Sequence, residues 1–424
     1  MWEDKKKTLY QKAGHWKQRL ISFCKWILLS AVIGAVIGGL VGTLFYYVMQ
    51  WANITCDANW WLVLFLPAGG LFIVWLYRIC GVKKSRGTDL VFLAVRSSKR
   101  VPMRMAPLIF ISTAITHLFG GSAGRESAAL QIGGSLGYGA GKFLKLEEKS
   151  LHVATMCGMA AVFSALFGMP VVATVFVLEV VSVGQMHYSA LVPVSVSSLL
   201  SAGIAAQLGA VAPHFEMTMM QGISLIPALQ TAALAALCAV VCILFCRALQ
   251  FSGKLYEKLL PNPYLRVLAG GALVMCLMLL SGTNDYEGAG SHVIASALGG
   301  TAKPEAFALK LILTALTIGA GFKGGEIIPS FFIGATFGCW MGGLLGLDPA
   351  FGAAIGLICL FCGVVNCPIS ALVLGCSLFG ASGILYFLLA CAISYALSGY
   401  SSLYSEQKIL YSKFHPRYIN KKTE

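Results

Sequence analysis

Apolar residues occur along this chain in long stretches, which short polar or glycine-rich segments separate. A helix of about 20 residues crosses the hydrocarbon core of a bilayer. The first two stretches, residues 21–51 and 61–80, are long enough for that, and the connection between them is nearly uncharged. They predict a helical hairpin that crosses a membrane out and back.

Beyond residue 104 the apolar stretches become shorter, more numerous and punctuated by Gly and Pro. They occupy residues 105–119, 126–143, 151–167, 170–183, 189–210, 223–250, 264–281, 307–320, 329–346, 350–365, 368–380 and 383–398. Several of them are too short to span a bilayer. Short, interrupted segments in matching positions of two halves are typical of transporters whose broken helices meet near the membrane midplane.

The composition supports a polytopic membrane protein of the all-α class. Hydrophobic residues make up 58% of the 424 residues and charged residues 11%, where soluble proteins carry about 25% charged residues. The net charge of +14 is concentrated in residues 1–25, 78–104 and 405–424. Basic segments beside apolar spans predict a cytoplasmic location for both termini. No nucleic-acid-binding module accompanies the charge, so we expect no nucleic-acid partner.

The chain contains an internal duplication. Gly-Ser-Ala-Gly-Arg-Glu at 121–126 matches Gly-Phe-Lys-Gly-Gly-Glu at 321–326, 200 residues later, and an apolar run follows each copy. We expect inverted repeats with re-entrant half-helices. The predicted organisation is a basic tail (1–20), a first membrane repeat (21–214), a second membrane repeat (215–404) and a basic tail (405–424), without a soluble regulatory domain.

Each copy of the duplicated motif places a glutamate, Glu126 or Glu326, after glycines and before an apolar run. Ionisable residues inside a membrane indicate function. The N-terminus of a helix favours an anion through its free N–H groups and dipole, and glycine allows close backbone approach. A glutamate that competes with the anion when ionised, and withdraws when protonated, would couple anion movement to protons. The alternative is that Arg125 or Lys323 forms a salt bridge with these carboxylates.

These motifs resemble those of the CLC chloride channels and anion/proton antiporters. The G-[KR]-E-G-P motif of that family is similar to residues 124–128, its G-x-F-x-P motif to residues 325–329, and its P-L-Y-S motif to residues 402–405. The resemblance implies that Glu126 is the external gating glutamate. It also implies a homodimer with one anion pathway per subunit. The anion-binding positions that it implies are Gly124, Arg125, Gly325, Ile327, Ile328, Tyr404 and Thr88.

Departures from the chloride-transporting members are similar to the fluoride-exporting branch of the family. Thr88 lies in a segment that lacks the chloride-coordinating serine, and Val180 stands where an internal proton-transfer glutamate is found. Glu326 precedes Ile327, where that branch also has an acidic residue. Ile328 departs from that branch, which has Thr there, and Thr88 from its usual Met or Asn. Ser127-Ala128 replaces its Gly-Thr.

We therefore predict a plasma-membrane transporter that exchanges a small halide for protons, with fluoride favoured over chloride. Glu126 would be the gate, and Glu326 would serve both selectivity and proton transfer. A chloride channel or a chloride/proton antiporter is the alternative within the same class. An intramembrane enzyme would need catalytic motifs that the sequence lacks. A carboxylate transporter would need an arginine deep in a span. We expect no catalytic residues and no cofactor. We also expect no metal site, since the cysteines lie in apolar runs as small filler.

Overall fold

The computed structural model describes residues 16, 20–82, 87–97, 99–210, 215, 222 and 224–423. Most of the predicted N-terminal tail and of the junction between the repeats therefore lies outside the described residues. The helices are α1 (Leu20–Ala58), α2 (Trp60–Ile79), α3 (Asp89–Arg96), α4 (Met105–Leu118), α5 (Glu126–Phe143), α6 (Glu148–Phe167), α7 (Pro170–Val180), α8 (Leu191–Gln207), α9 (Leu225–Leu259), α10 (Pro263–Ser281), α11 (Ser291–Leu298), α12 (Ala306–Ala320), α13 (Ile327–Leu344), α14 (Pro349–Val365), α15 (Pro368–Phe379) and α16 (Ile384–Leu397).

The helical architecture predicted from the apolar stretches is confirmed, since each stretch corresponds to a helix. Among the described residues, seven helices are long and apolar enough to cross a membrane, and several others have only 10–17 residues. Two helices, α3 and α11, were not predicted. Each has eight residues, too few to give an apolar run that stands out from its polar surroundings.

A small three-stranded sheet is the other feature that the apolar pattern did not predict. The strands are β1 (Ser182–Val183), β2 (Lys408–Tyr411) and β3 (Tyr418–Lys422), with β1 parallel to β2 and β2 antiparallel to β3. The segment 405–424, expected to be a simple polar tail, therefore includes a hairpin. Because β1 follows α7, the hairpin is fixed to the end of a membrane helix.

Within each half of the molecule, glycines bring two successive helices into backbone contact, and the corresponding helices are involved in both halves. A Cβ atom on Gly133 of α5 would collide with the carbonyl oxygen of Gly158 in α6, and one on Gly334 of α13 would collide with that of Gly356 in α14. The two helix pairs are therefore packed alike, and Gly133 corresponds to Gly334. The buried cores of α6 and α14 lie at the centre of the molecule.

This packing corrects the predicted alignment of the repeats. Gly133 and Gly334 are 201 residues apart, and α5 and α13 begin at residues 126 and 327. Glu126 therefore corresponds to Ile327, and Arg125 corresponds to Glu326. The prediction that the two glutamates occupy equivalent positions is wrong by one residue. Runs of adjacent glycines allow either alignment in the sequence, and only the backbone contacts distinguish them.

Glu179, at the end of α7, connects the two repeats. Its carboxylate accepts hydrogen bonds from the backbone N–H groups of Ile369 at 3.1 Å and Ser370 at 2.8 Å, and from the Ser370 hydroxyl. These N–H groups belong to the first turn of α15, where no intrahelical acceptor is available. Glu179 therefore acts as a helix cap supplied by a different helix.

We predict that Glu179→Ala lowers the free energy of unfolding by about 1–3 kcal/mol, because two buried N–H groups lose their acceptor. Thermal unfolding in detergent, followed by loss of the monodisperse size-exclusion peak, measures this change. Ser370→Ala removes one hydroxyl and keeps both N–H bonds, so it serves as the milder control. An unchanged melting temperature together with lost proton coupling would instead identify Glu179 as a proton relay.

Candidate functional site

The first turns of two helices from different repeats meet at a pair of glycines. Gly124 and Gly325 form an antiparallel bridge in which each backbone N–H donates to the other's carbonyl oxygen at 2.6 Å. The bridge lies directly before α5 and α13. It therefore holds the N-termini of both helices, with their free N–H groups and positive dipole ends, against each other.

The side chain of Glu126 occupies this meeting point. The residue has no exposed surface, and its Oε1 atom accepts a hydrogen bond of 2.9 Å from the Arg125 backbone N–H. The backbone N–H groups of Glu126 and Ile328, in the first turns of α5 and α13, also lie near the carboxylate. Its Oε2 atom has no hydrogen-bond partner among the described residues. The carboxylate thus lies where the sequence predicted an anion, held by N–H groups from both half-helices.

His117, at the end of α4, supports the bridge from behind. Its Nε2 atom lies 3.1 Å from the Gly124 carbonyl oxygen, and its Nδ1 atom lies 2.9 Å from Oδ1 of Asn53. The imidazole is fully buried. This contact ties the bridge to α1, and it was not apparent from the sequence because residues 53 and 117 lie far apart in the chain.

Glu326 lies at the position before α13, next to residues from the other repeat. The Ser127 hydroxyl donates a hydrogen bond of 2.7 Å to its Oε2 atom. Tyr404 is 3% exposed, and its hydroxyl has no hydrogen-bond partner among the described residues. That hydroxyl lies near Ser127, the residue that bonds to Glu326. The structure therefore gathers a carboxylate and two hydroxyl groups beside Glu126.

Thr88 joins this group through Gln131, a residue that sequence reasoning missed. The Gln131 amide donates to the Thr88 hydroxyl at 3.3 Å and to the Ser127 carbonyl oxygen at 3.1 Å. Phe92, one turn after Thr88, packs edge-on against the Tyr404 ring with centroids 4.8 Å apart. Thr88 and Tyr404, which the resemblance implied as anion ligands, therefore lie in one buried cluster.

Arg125 and Ile328 face a cavity on the opposite side of the Glu126 carboxylate. This cavity of ≈ 280 Å³ is lined mainly by apolar and aromatic side chains. Arg125 also lines a second, more polar cavity of ≈ 450 Å³. Its guanidinium lies over the rings of Tyr46 and Phe167, at 5.5 and 5.9 Å from their centroids. The arginine thus places positive charge at the entrance to the site.

The salt-bridge alternative finds no support in the geometry. Among the ion pairs of the described residues, none joins Arg125 or Lys323 to a carboxylate. The Lys323 ammonium instead lies 5.2 Å from the centroid of the Tyr77 ring, and Glu326 bonds to Ser127. The described residues also contain no cluster of His, Cys, Asp or Glu that could hold a metal ion.

Ser127 is the site residue whose importance the sequence indicated least. It follows Glu126 directly, in the first turn of α5, and its hydroxyl reaches Glu326 of the other repeat. Its signals were its place directly after the duplicated motif and its departure from the Gly of the fluoride-exporting branch. The one-residue correction of the alignment explains the contact, because it places Glu326 before its helix and Ser127 within the first turn of the opposite helix.

A buried carboxylate between two helix N-termini, with a cavity on one side and hydroxyl groups on the other, defines a membrane protein that transports small anions. A profile of the voltage-gated chloride channel family, the CLC family, matches residues 69–399. The chain belongs to this family.

Relatives of known sequence and structure agree with this assignment. A chloride/fluoride channel protein of Pseudomonas syringae pv. tomato is 30% identical over 398 residues, which cover 92% of this chain and 88% of that protein. The crystal structure of a CLC-type fluoride/proton antiporter matches with a TM-score of 0.88 and 30% identity, over 91% of this chain and 98% of that chain. A slow cyanobacterial Cl⁻/H⁺ antiporter shares the fold, with a TM-score of 0.76 and 18% identity over 88% and 94% of the two chains.

The two bridging glycines allow a matched test of this geometry. A Cβ atom on Gly325 would lie 2.9 Å from the backbone nitrogen of Glu126 and 3.0 Å from that of Ser127. The three atoms nearest to one on Gly124 all belong to the flexible Glu126 carboxyl group. We predict that Gly325→Ala slows anion efflux from proteoliposomes at least about tenfold, whereas Gly124→Ala displaces the carboxylate and keeps efflux. Equal effects of the two substitutions would contradict the proposed packing at the bridge.

Proposed function

We propose that this protein exchanges fluoride for protons across the plasma membrane, with Glu126 as the protonatable gate. The observation that carries the proposal is the position of the Glu126 carboxylate between the first turns of α5 and α13. When ionised, the carboxylate fills the place that an anion would take. When protonated, it loses its attraction to the N–H groups and can leave that place to the anion. Each exchange of the two occupants is therefore linked to a proton.

The polar groups near Glu126 favour fluoride as the anion. Fluoride is smaller than chloride, holds its water more tightly and accepts stronger hydrogen bonds, so its site needs several short-range donors. The Tyr404 and Ser127 hydroxyl groups and the Ile327 and Ile328 N–H groups supply such donors. Support also comes from the similarity to a fluoride/proton antiporter, at 30% identity. A chloride/fluoride channel protein is similarly related, which makes chloride the competing anion.

Glu326 supplies the second carboxylate that proton movement requires. It lies beside Ser127 at 2.7 Å and belongs to the cluster that includes Tyr404. In its protonated form it donates a hydrogen bond to the passing anion, and in its ionised form it repels the anion and accepts a proton. It thereby takes over the role for which Val180 has no ionisable group.

Glu126→Gln tests the gate. The amide mimics the protonated carboxyl group, so we predict that an imposed fluoride gradient no longer drives proton uptake into proteoliposomes. Proton movement is followed with a pH-sensitive dye, and fluoride movement with an ion-selective electrode. Glu179→Gln is the matched control, because it also neutralises a buried carboxylate but lies outside the site, and it should keep coupling. Continued proton pumping by Glu126→Gln would end the proposal.

The choice of anion is tested with liposomes loaded with equal fluoride and chloride. We predict that fluoride leaves the wild-type liposomes at least about tenfold faster, a difference of about 1.4 kcal/mol in the barrier. Glu326→Gln should reduce both this ratio and proton coupling, since the amide cannot exchange a proton. Chloride leaving as fast as fluoride in the wild type would overturn the fluoride assignment. An unaltered Glu326→Gln variant would remove the role of that residue alone.

The remaining parts of the proposal concern assembly and orientation. We propose a homodimer in which each subunit has its own pathway. Exposed apolar side chains on α8, α15 and α16, such as Leu199, Ile369 and Leu388, provide a surface for it. We place both termini in the cytoplasm because their basic charge follows the positive-inside rule. The lipid bilayer surrounds the other exposed apolar faces of the helices.

A further inference from the structure

A second cavity lies away from the anion site and has a different character. It has a volume of ≈ 820 Å³ and lies between the end of α2, the ends of α9 and α12, and the start of α10. Because it lies at helix ends and includes Arg78, the cavity is close to one membrane face, beside the basic segment 78–104.

The charges that line this cavity are unbalanced. Its cationic side chains are Arg78, Lys254, Arg266 and Lys323, and Glu257 is its one carboxylate among the described lining residues. Glu257 lies 3.7 Å from Arg266 and so offsets one of the four positive charges. Arg266 and Lys323 are only partly exposed, and charges held partly out of water without a counterion are costly. An anion bound in the cavity would remove most of this cost.

Contacts with aromatic rings orient two of the cationic groups. The Arg78 guanidinium lies 5.9 Å from the centroid of the Tyr264 ring, and the Lys323 ammonium lies 5.2 Å from that of Tyr77. The Nε atom of Arg266 is buried and has no hydrogen-bond partner among the described residues. An unpaired guanidinium N–H is a good donor to a phosphate oxygen, since arginine recognises phosphate through several parallel N–H groups.

The surroundings of the cavity indicate that its ligand carries hydrocarbon chains. The outer faces of the helices that form it present exposed apolar side chains: Trp75 is 48% exposed, Ile79 63%, Leu259 65% and Leu265 54%. Surfaces of this kind face acyl chains in a membrane. Basic pockets between transmembrane helices, close to one membrane face, are the sites at which anionic lipid headgroups bind. A soluble phosphate compound would use the cations but leave these apolar faces uncovered.

We propose that this cavity binds the phosphate group of an anionic membrane lipid, with the acyl chains of the lipid along the outer faces of α2 and α10. Arg266 and Lys254 contact the phosphate from α10 and α9, and Lys323 closes the inner end of the cavity. Because Lys323 is three residues before Glu326 in the chain, the bound lipid lies next to the segment that forms the anion site, without being part of it.

Binding is measured on the full-length protein in detergent by native mass spectrometry, with phosphatidylglycerol and with phosphatidylcholine. We predict that phosphatidylglycerol binds and that the double variant Arg266→Gln, Lys254→Gln weakens its binding at least about tenfold, from the loss of two charges near the membrane surface. Lys254→Gln alone is compared with the control Lys258→Gln, which removes the same single charge one turn further along α9 on a residue that does not line the cavity. The affinity of the control should equal that of the wild type.

Several outcomes would overturn the proposal. Phosphatidylcholine binding as tightly as phosphatidylglycerol would show that the cations do not select the lipid. Inorganic phosphate protecting the protein from thermal unfolding as well as phosphatidylglycerol would show a site for soluble phosphate. Equal losses in Lys258→Gln and in Lys254→Gln would show that only overall charge matters. If the double variant fails to give a monodisperse peak, Lys254→Gln alone is used, because it changes an exposed side chain. This single substitution is expected to weaken binding about threefold.

Discussion

The structure depends on one contact, the reciprocal pair of backbone hydrogen bonds between Gly124 and Gly325. The two N–H groups involved lie just before α5 and α13, and the bridge brings two positive helix ends together inside the membrane. Such an arrangement is unfavourable without a negative charge between the helix ends, and Glu126 supplies that charge. A side chain at Gly325 would press against the backbone of the first turn of α5. The same contact therefore explains why the site needs a glycine at the bridge, a carboxylate nearby and buried surroundings.

The two repeats are alike in backbone and different in chemistry. Gly133 and Gly334 pack against their partner helices in the same way, so both half-helices reach the centre at the same depth. The equivalent positions before the helices nevertheless hold Arg125 and Glu326. The positive side chain faces two cavities, whereas the carboxylate faces the hydroxyl cluster. A symmetric backbone therefore carries an asymmetric site, as a pathway with two distinct ends requires.

The position of Tyr404 depends on the small sheet beyond it. The Thr423 hydroxyl donates to the Tyr404 carbonyl oxygen at 2.6 Å, and Asp89 accepts bonds from Ser405 and from the Glu406 backbone N–H. The hairpin that follows Tyr404 thus fixes the ring against Phe92. The sequence identified Tyr404 through its motif, but the hairpin was not predicted, because its short polar strands have a pattern close to that of a disordered tail.

The sequence by itself determined the helical class, the near-complete set of helices and the duplicated motif that contains Glu126 and Glu326, and its resemblance to a known family pointed to Tyr404 and Thr88. These follow from apolar length and local motifs, both of which are properties of neighbouring residues. The tertiary structure alone decided the alignment of the repeats, the contact of Ser127 with Glu326, the support from His117 and the basic cavity around Arg266. Each of these brings together residues that are distant in the chain. Such contacts depend on how closely the helices pack, and the hydrophobic pattern of the sequence does not specify the distances between helices.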